Sequence, residues 1–170
     1  EMYMKAIHIT LPDFDGKNPL RNNLLTFDEI MIINAIAILH AKADDIMTAV
    51  QLGMWLKKYM EEKIVDGTMK IAKYPMILYN LSNWLGRENC HKEALKMADL
   101  GIRFCIRYGN LAFFPILVFN KGGALAELGK IDQAKKYLHQ SVTIFEAMDR
   151  PDLIQVATDW CKLHYRIDIQ

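Results

Sequence analysis

The sequence predicts an all-α protein, a right-handed superhelix of helical hairpins with about seven helices. An asparagine closes a run of large apolar residues at three places, Asn34, Asn80 and Asn120. After each asparagine, small or medium apolar residues recur at steps of four and three, which is the spacing of one helix face. No segment shows convincing two-residue alternation between hairpin turns, so strands are not expected.

The chain divides into a short lead-in and a repeat domain. Residues 1–25 carry Pro12 and Pro19 without sustained periodicity, and they are predicted to form a short helix or an extended segment followed by a loop. Residues 26–170 are predicted to form the repeat domain, which ends in a capping helix. The predicted helices span residues 26–42, 45–63, 68–87, 91–108, 111–128, 131–148 and 152–165.

Each repeat is predicted to be a helical hairpin. Asn89 and Gly129, each nine residues after a repeat asparagine, tolerate the left-handed backbone conformation that ends a helix. The first copy has Thr48 where the others have alanine, so we expect it to carry one extra residue. The second helices share a stripe of mostly small residues that favours close packing: Ala49, Gly53, Leu56, Ala94, Ala98, Gly101, Ala134, Leu138 and Ser141.

Composition limits the possible functions. The 170 residues are 52% hydrophobic, enough to bury a core in one domain. The 21 basic and 20 acidic residues nearly cancel, so no overall field draws the chain to nucleic acid or to an anionic membrane. We expect no membrane span and no signal peptide, and the odd count of 3 cysteines favours a reducing, cytoplasmic location. The chain begins at Glu1, and we expect further sequence upstream.

No arrangement of residues predicts an enzyme, a metal site or a cofactor. The histidines are scattered, and no Cys/His pair has a metal-binding spacing. Cys90 and His91 are adjacent, so they point in different directions and are interpreted as turn residues. Gly122 and Gly123 lie in mid-helix without the other features of a phosphate loop, which favours close helix packing.

The repeat asparagines are the candidate ligand-binding residues. Asn83 and Arg87 share a helix face with Asn80, and Glu127 shares one with Asn120. An asparagine amide can donate to and accept from an extended peptide backbone, whatever its side chains are. Apolar neighbours would then select those side chains: Met76, Tyr79, Ile116 and Phe119. The alternative is that each asparagine bonds the backbone of the neighbouring helix and locks one repeat to the next.

Particular residues of the second and third copies resemble the tetratricopeptide repeat, over roughly residues 26–150. The repeats are long and irregular, and with Tyr-Asn-Leu-Ser at 79–82 and Gly-Ile-Arg-Phe-Cys at 101–105 they look like the C-terminal domains of Rgg, MutR and PlcR-type bacterial regulators. The residues that carry the repeat resemblance are Asn80, Leu81, Ser82, Trp84, Leu85, Glu93, Ala94, Leu95, Gly122, Leu125, Gly129 and Ala134.

That resemblance implies a function. In such regulators a helix-turn-helix domain reads DNA, the repeat domain binds a short signalling peptide through groove asparagines, and the protein dimerises. It places peptide binding on Asn34, Asn80, Asn83 and Asn120, with Arg87 suited to a carboxylate and Glu127 to an amine or a basic side chain. Residues 1–25 are too short for a helix-turn-helix domain, so DNA binding would require an N-terminal domain outside this chain.

Two alternatives come from other classes of protein. One is a repeat scaffold that docks a partner's tail, although such carboxylate clamps usually have several cations and only Arg87 qualifies here. The other is an inhibitory adaptor that controls a phosphatase or an antiactivator. A helix-turn-helix upstream of residue 1 would favour the regulator over both alternatives.

The last predicted helix carries more apolar surface than one neighbouring helix can cover. One face has Leu153, Val156, Trp160 and Leu163, and a second has Ile154, Ala157, Cys161 and Tyr165. We expect the first face to form a homodimer interface anchored by Trp160. The alternative is that residues 1–10 fold back and cover it.

Overall fold

The computed structural model describes residues 2–16, 24–63 and 66–166, and this part of the chain contains eight α-helices and no strand. The all-α prediction is confirmed, and the seven predicted helices are α2 to α8. The lead-in takes the helical alternative, as α1, while residues 1, 17–23, 64–65 and 167–170 lie outside the described residues. The helices are α1 Met2–His8, α2 Phe27–Lys42, α3 Ile46–Glu62, α4 Gly67–Arg87, α5 His91–Tyr108, α6 Phe114–Glu127, α7 Ile131–Ala147 and α8 Pro151–Tyr165.

The helices pair as three hairpins, α2 with α3, α4 with α5 and α6 with α7. The first helices of the hairpins also contact one another in order, α2 with α4 and α4 with α6. These three helices therefore form one layer. The residues at the contact of α4 with α6 come from two successive repeats. α1 packs on α2, and α8 packs on α7.

Four hairpin and inter-helix loops have the same backbone geometry. Each contains one residue in the left-handed region, with φ of 65° at Asp44, 58° at Asn89, 72° at Gly129 and 52° at Asp149. The following amide then donates to the carbonyl five residues earlier, which satisfies a carbonyl at the end of the preceding helix. These bonds run from Asp45 to His40, Cys90 to Leu85, Lys130 to Leu125 and Arg150 to Phe145. The predicted helix ends at Asn89 and Gly129 are confirmed.

The extra residue of the first repeat lies between Asn34 and its loop. Leu85 and Leu125 accept the loop amide bond and are 7% and 3% exposed, whereas His40 accepts it in the first repeat. Leu39, which the sequence spacing aligns with those leucines, is 45% exposed. One inserted residue rotates a helix position by about 100°, so Leu39 points away from the core.

The small residues of the second helices are buried, and two of the glycines lie where successive hairpins meet. A Cβ at Gly53 would lie 2.8 Å from a methyl carbon of Leu81, and one at Gly101 would lie 2.8 Å from both methyl carbons of Leu117. Carbon atoms in contact stay about 3.5 to 4.0 Å apart. Glycine therefore allows these helices and leucine side chains to pack at this distance without adjustment, as the small-residue stripe predicted.

The N-terminal segment belongs to the core at the first-repeat end of the protein. Ile7, Leu11 and Phe14 are buried in the same cluster as side chains of α2, α3 and α4. A separate cluster joins α6, α7 and α8. The alternative in which residues 1–10 cover the last helix is therefore wrong, because α1 lies against α2.

Helix α4 continues through Pro75, which lacks a backbone N–H and so cannot bond the carbonyl of Ile71. The side-chain amide of Asn110 replaces that donor, with Nδ2 2.6 Å from the Ile71 oxygen. Asn110 precedes α6, so this bond also ties the third hairpin to the second. The asparagine thus compensates for the proline through a bond to a carbonyl 39 residues earlier in the sequence.

We expect Asn110→Ala to destabilise the protein by about 1 to 3 kcal/mol, because the Ile71 carbonyl would lose its donor. In a Pro75→Ala background the alanine N–H restores the ordinary helical bond, so the same substitution should cost less. A double-mutant cycle by urea denaturation measures the coupling. Equal costs in both backgrounds would contradict the compensation.

Candidate functional site

A cleft of about 510 Å³ lies where α4 and α6 are side by side, with α5 and α8 contributing to its walls. Five predicted ligand-binding residues line it, namely Asn83, Arg87, Phe119, Asn120 and Glu127. Five others lie outside it: Asn34, Met76, Tyr79, Asn80 and Ile116. The predicted groove is therefore divided in two. The part formed by the C-terminal parts of α4 and α6 contains the cleft, and the other part does not.

The second and third repeat asparagines each bond the preceding repeat, and Asn34 and Asn80 meet directly. Asn80 Nδ2 donates to Asn34 Oδ1 at 3.0 Å, and both side chains are buried. Asn120 Nδ2 donates to Ser82 Oγ at 2.7 Å and lies 3.4 Å from the Tyr79 carbonyl oxygen. The bonds do join successive repeats, as the alternative expected, but only the one from Asn120 to Tyr79 reaches backbone and the other two reach side chains. Contact of Asn34 and Asn80 with a ligand stays a prediction.

Arg87 links the C-terminal end of α4 to that of α2. Its Nη1 donates to the Ala41 carbonyl at 3.1 Å, and its Nη2 lies 2.9 Å from Asp44 Oδ1. The Ala41 carbonyl lies in the last turn of α2, where a cation is favoured by the helix dipole. A ligand carboxylate would have to share this guanidinium with Asp44.

Glu127 is the acidic residue of the cleft, and its side chain is 44% exposed. Its Oε2 lies 3.9 Å from His91 Nε2, and the other ring nitrogen of His91 is buried without a hydrogen-bond partner. Sequence reasoning interpreted His91 as a turn residue. Its position at the start of α5 brings it beside the end of α6, and nothing in the local pattern indicates that contact.

Two aromatic residues of α8 complete the wall at the third-repeat end of the cleft. The hydroxyl of Tyr165 lies 3.0 Å from the position that a Cβ would take at Gly123, so the glycine makes room for the ring. Burial raises the pKa of the Tyr165 phenol, the indole N–H of Trp160 partly offsets this by hydrogen bonding, and the charge of Glu127 raises it further. Trp160 stacks on His164 with ring centroids 3.9 Å apart.

Other parts of the protein cover only some of the side chains on the predicted dimer face of α8. Leu153 is half-buried, and Trp160 lines the cleft. Val156 and Leu163 are 63% and 78% exposed. The dimer stays a prediction. The side chains of Val156 and Leu163 are more exposed than Trp160, so they offer a second subunit more apolar surface than its ring does.

Neither a metal-ion site nor a membrane-spanning helix is present in the part of the chain that the structure describes. Residues 2–16, 24–63 and 66–166 contain no group of three or more His, Cys, Asp or Glu side chains placed to hold a metal ion. In the same ranges, none of the helices combines the length and the apolar character needed to cross a membrane.

No protein-family model matches the chain, and no curated protein matches it at a significant level. Among solved structures it is similar to PlcR of Bacillus thuringiensis in complex with the peptide PapR7 and DNA, with 16% identity and a TM-score of 0.70. The chain has a PlcR-like helical fold. The match covers 91% of this chain and 52% of that one.

The apo form of PlcR gives a similar result. Its TM-score is 0.69 at 16% identity, and the match covers 93% of this chain and 63% of that chain. This chain therefore spans between about half and two thirds of the PlcR chains. At this level of identity the similarity shows the fold, and the helical repeat architecture is the part of the sequence resemblance that it confirms.

The buried amide pair allows a test of the inter-repeat bonds. Asn80→Ala should lower the free energy of unfolding by about 1 to 3 kcal/mol, because the Asn34 amide would stay buried without its partner. The double variant Asn34→Leu/Asn80→Leu should lose less, since neither unpaired amide remains. Urea denaturation measures both. Unchanged stability of Asn80→Ala would instead leave the amide free for a ligand.

Proposed function

We propose that the chain is the ligand-sensing domain of a bacterial transcriptional regulator, and that it binds a short peptide in the cleft between α4 and α6. The observation that carries this proposal is the cleft itself, which lies on the layer of first helices and contains five of the predicted ligand residues. The similarity of the chain's fold to that of PlcR, which was crystallised with a peptide, supports the same function.

The lining of the cleft suits an extended backbone. Asn83 is exposed, so its amide can donate to and accept from peptide groups without breaking an inter-repeat bond. Phe119 offers apolar surface beside it. Ligand sites are commonly about 300 to 1,000 Å³, so a cleft of about 510 Å³ would hold a few residues of a peptide.

The wider parts of the proposal follow from the resemblance. DNA would be bound only through an N-terminal domain outside this chain, the protein would be cytoplasmic, and the exposed face of α8 would pair with the same face of a second subunit. The alternative, a scaffold for a partner's carboxylate tail, has less support. Among the described residues of the cleft, Arg87 is the only lysine or arginine, and it is paired with Asp44.

Selection from a random heptapeptide library tests the binding proposal. Immobilised protein should enrich particular peptides, and Asn83→Trp should abolish the enrichment because the indole would fill the cleft from an exposed position. Gln140→Trp on the exposed side of α7 is the matched control and should enrich the same peptides. Equal enrichment on the wild type and on Asn83→Trp would reject the cleft as the site.

Sedimentation tests the dimer. The wild-type chain should sediment as a dimer at micromolar concentration, and Leu163→Glu should sediment as a monomer because it places a charge on the exposed apolar face. Lys162→Glu changes the charge next to that position and is the control, which should remain dimeric. A monomeric wild type would remove the dimer from the proposal.

A further inference from the structure

The charges in the cleft are unbalanced at the end next to α8. Among the described residues, no lysine or arginine forms an ion pair with Glu127, and His91 Nε2 lies 3.9 Å from its Oε2. Arg87, the basic residue on the other side of the cleft, is paired with Asp44. Glu127 is half-exposed at the mouth of the site, so its negative charge is available to a ligand.

Aromatic rings line the cleft together with this carboxylate. Phe119 comes from α6, and Trp160 and Tyr165 come from α8. The face of an aromatic ring attracts a cation, and tryptophan does so most strongly. One face of the Trp160 ring is covered by His164, and the side chain remains 46% exposed, so part of the indole is open to a ligand.

Tyr165 is partly buried and lies close enough to Glu127 for its phenol to respond to that negative charge. Burial raises the pKa of this phenol, and the negative charge of Glu127 adds to that rise. A charge in such surroundings attracts an opposite charge more strongly than it would in bulk water. A cation brought by a ligand would therefore gain from both the carboxylate and the rings.

We propose that this end of the cleft binds a cationic group of the ligand, an ammonium or a guanidinium, between the carboxylate of Glu127 and the rings of Phe119, Trp160 and Tyr165. The inference rests on the proposed peptide-binding function and gives the peptide a chemical class. The peptide carries a basic side chain or a free N-terminal amine at the α8 end. Trp160 and Tyr165 then become ligand-binding residues.

Small probes test the cation site without a cognate peptide. The probes are N-acetyl-arginine methylamide, N-acetyl-norleucine methylamide, and norleucine methylamide with a free amine. Each is titrated into the ¹⁵N-labelled chain while the indole N–H of Trp160 is followed, after assignment with Trp160→Phe. We expect the arginine probe to bind about fivefold more tightly than the acetylated norleucine probe. Tighter binding of the free-amine probe instead would identify an N-terminus as the source of the cation.

Glu127→Gln should reduce that preference, because it keeps the shape of the side chain and removes the charge while the rings remain. Glu146→Gln, on the exposed side of α7, removes an equal charge elsewhere and should keep the preference. Equal affinity for all three probes, or a preference that is undiminished in Glu127→Gln, would overturn the cation site. A cation preference without any enriched heptapeptide would reject the peptide proposal alone, and enriched peptides without a basic group would reject the cation site alone.

Discussion

The close approach of helices at glycine is the constraint on which the rest of the structure depends. Leu81 packs over Gly53 and Leu117 over Gly101, so each contact joins the second helix of one hairpin to the first helix of the next. A single methyl group at either glycine would require the leucine side chain or the helix to shift, because a Cβ there would lie 2.8 Å from the leucine side chain. These contacts set the distance between successive hairpins and therefore the distance between α4 and α6.

That distance decides which polar groups must pair within the protein and which remain for a ligand. Where the first helices touch, the amides of Asn34 and Asn80 are buried, and a buried amide must find a partner. Three residues further along α4, Asn83 has left the contact and is exposed. At the C-terminal end of α6, Glu127 is likewise exposed. The same face of the helix thus passes from an inter-repeat contact to an open cleft within about two turns.

Local patterns predicted most of the fold. Helices, loop residues such as Asn89 and the small-residue stripe all follow from spacings of three, four and nine residues, which the sequence displays directly. The site was harder to predict from the sequence, because its details depend on contacts between residues that are far apart in the chain. The pairing of Arg87 with Asp44 and the position of Tyr165 over Gly123 each need the hairpins to be stacked first. The exposed position of Leu39 was also not predictable from the sequence, since its spacing from Asn34 matches that of the equivalent leucines in the other repeats.

The central claim is that a peptide occupies the cleft between α4 and α6, and chemical-shift mapping tests it most directly. A selected heptapeptide is titrated into the ¹⁵N-labelled chain, and the backbone and side-chain amide resonances are followed. The account predicts that the largest changes fall on the side-chain amide of Asn83, the backbone amides around Phe119 and Glu127, and the indole N–H of Trp160. Largest changes on the exposed faces of α3, α5 and α7, with these resonances unmoved, would contradict it.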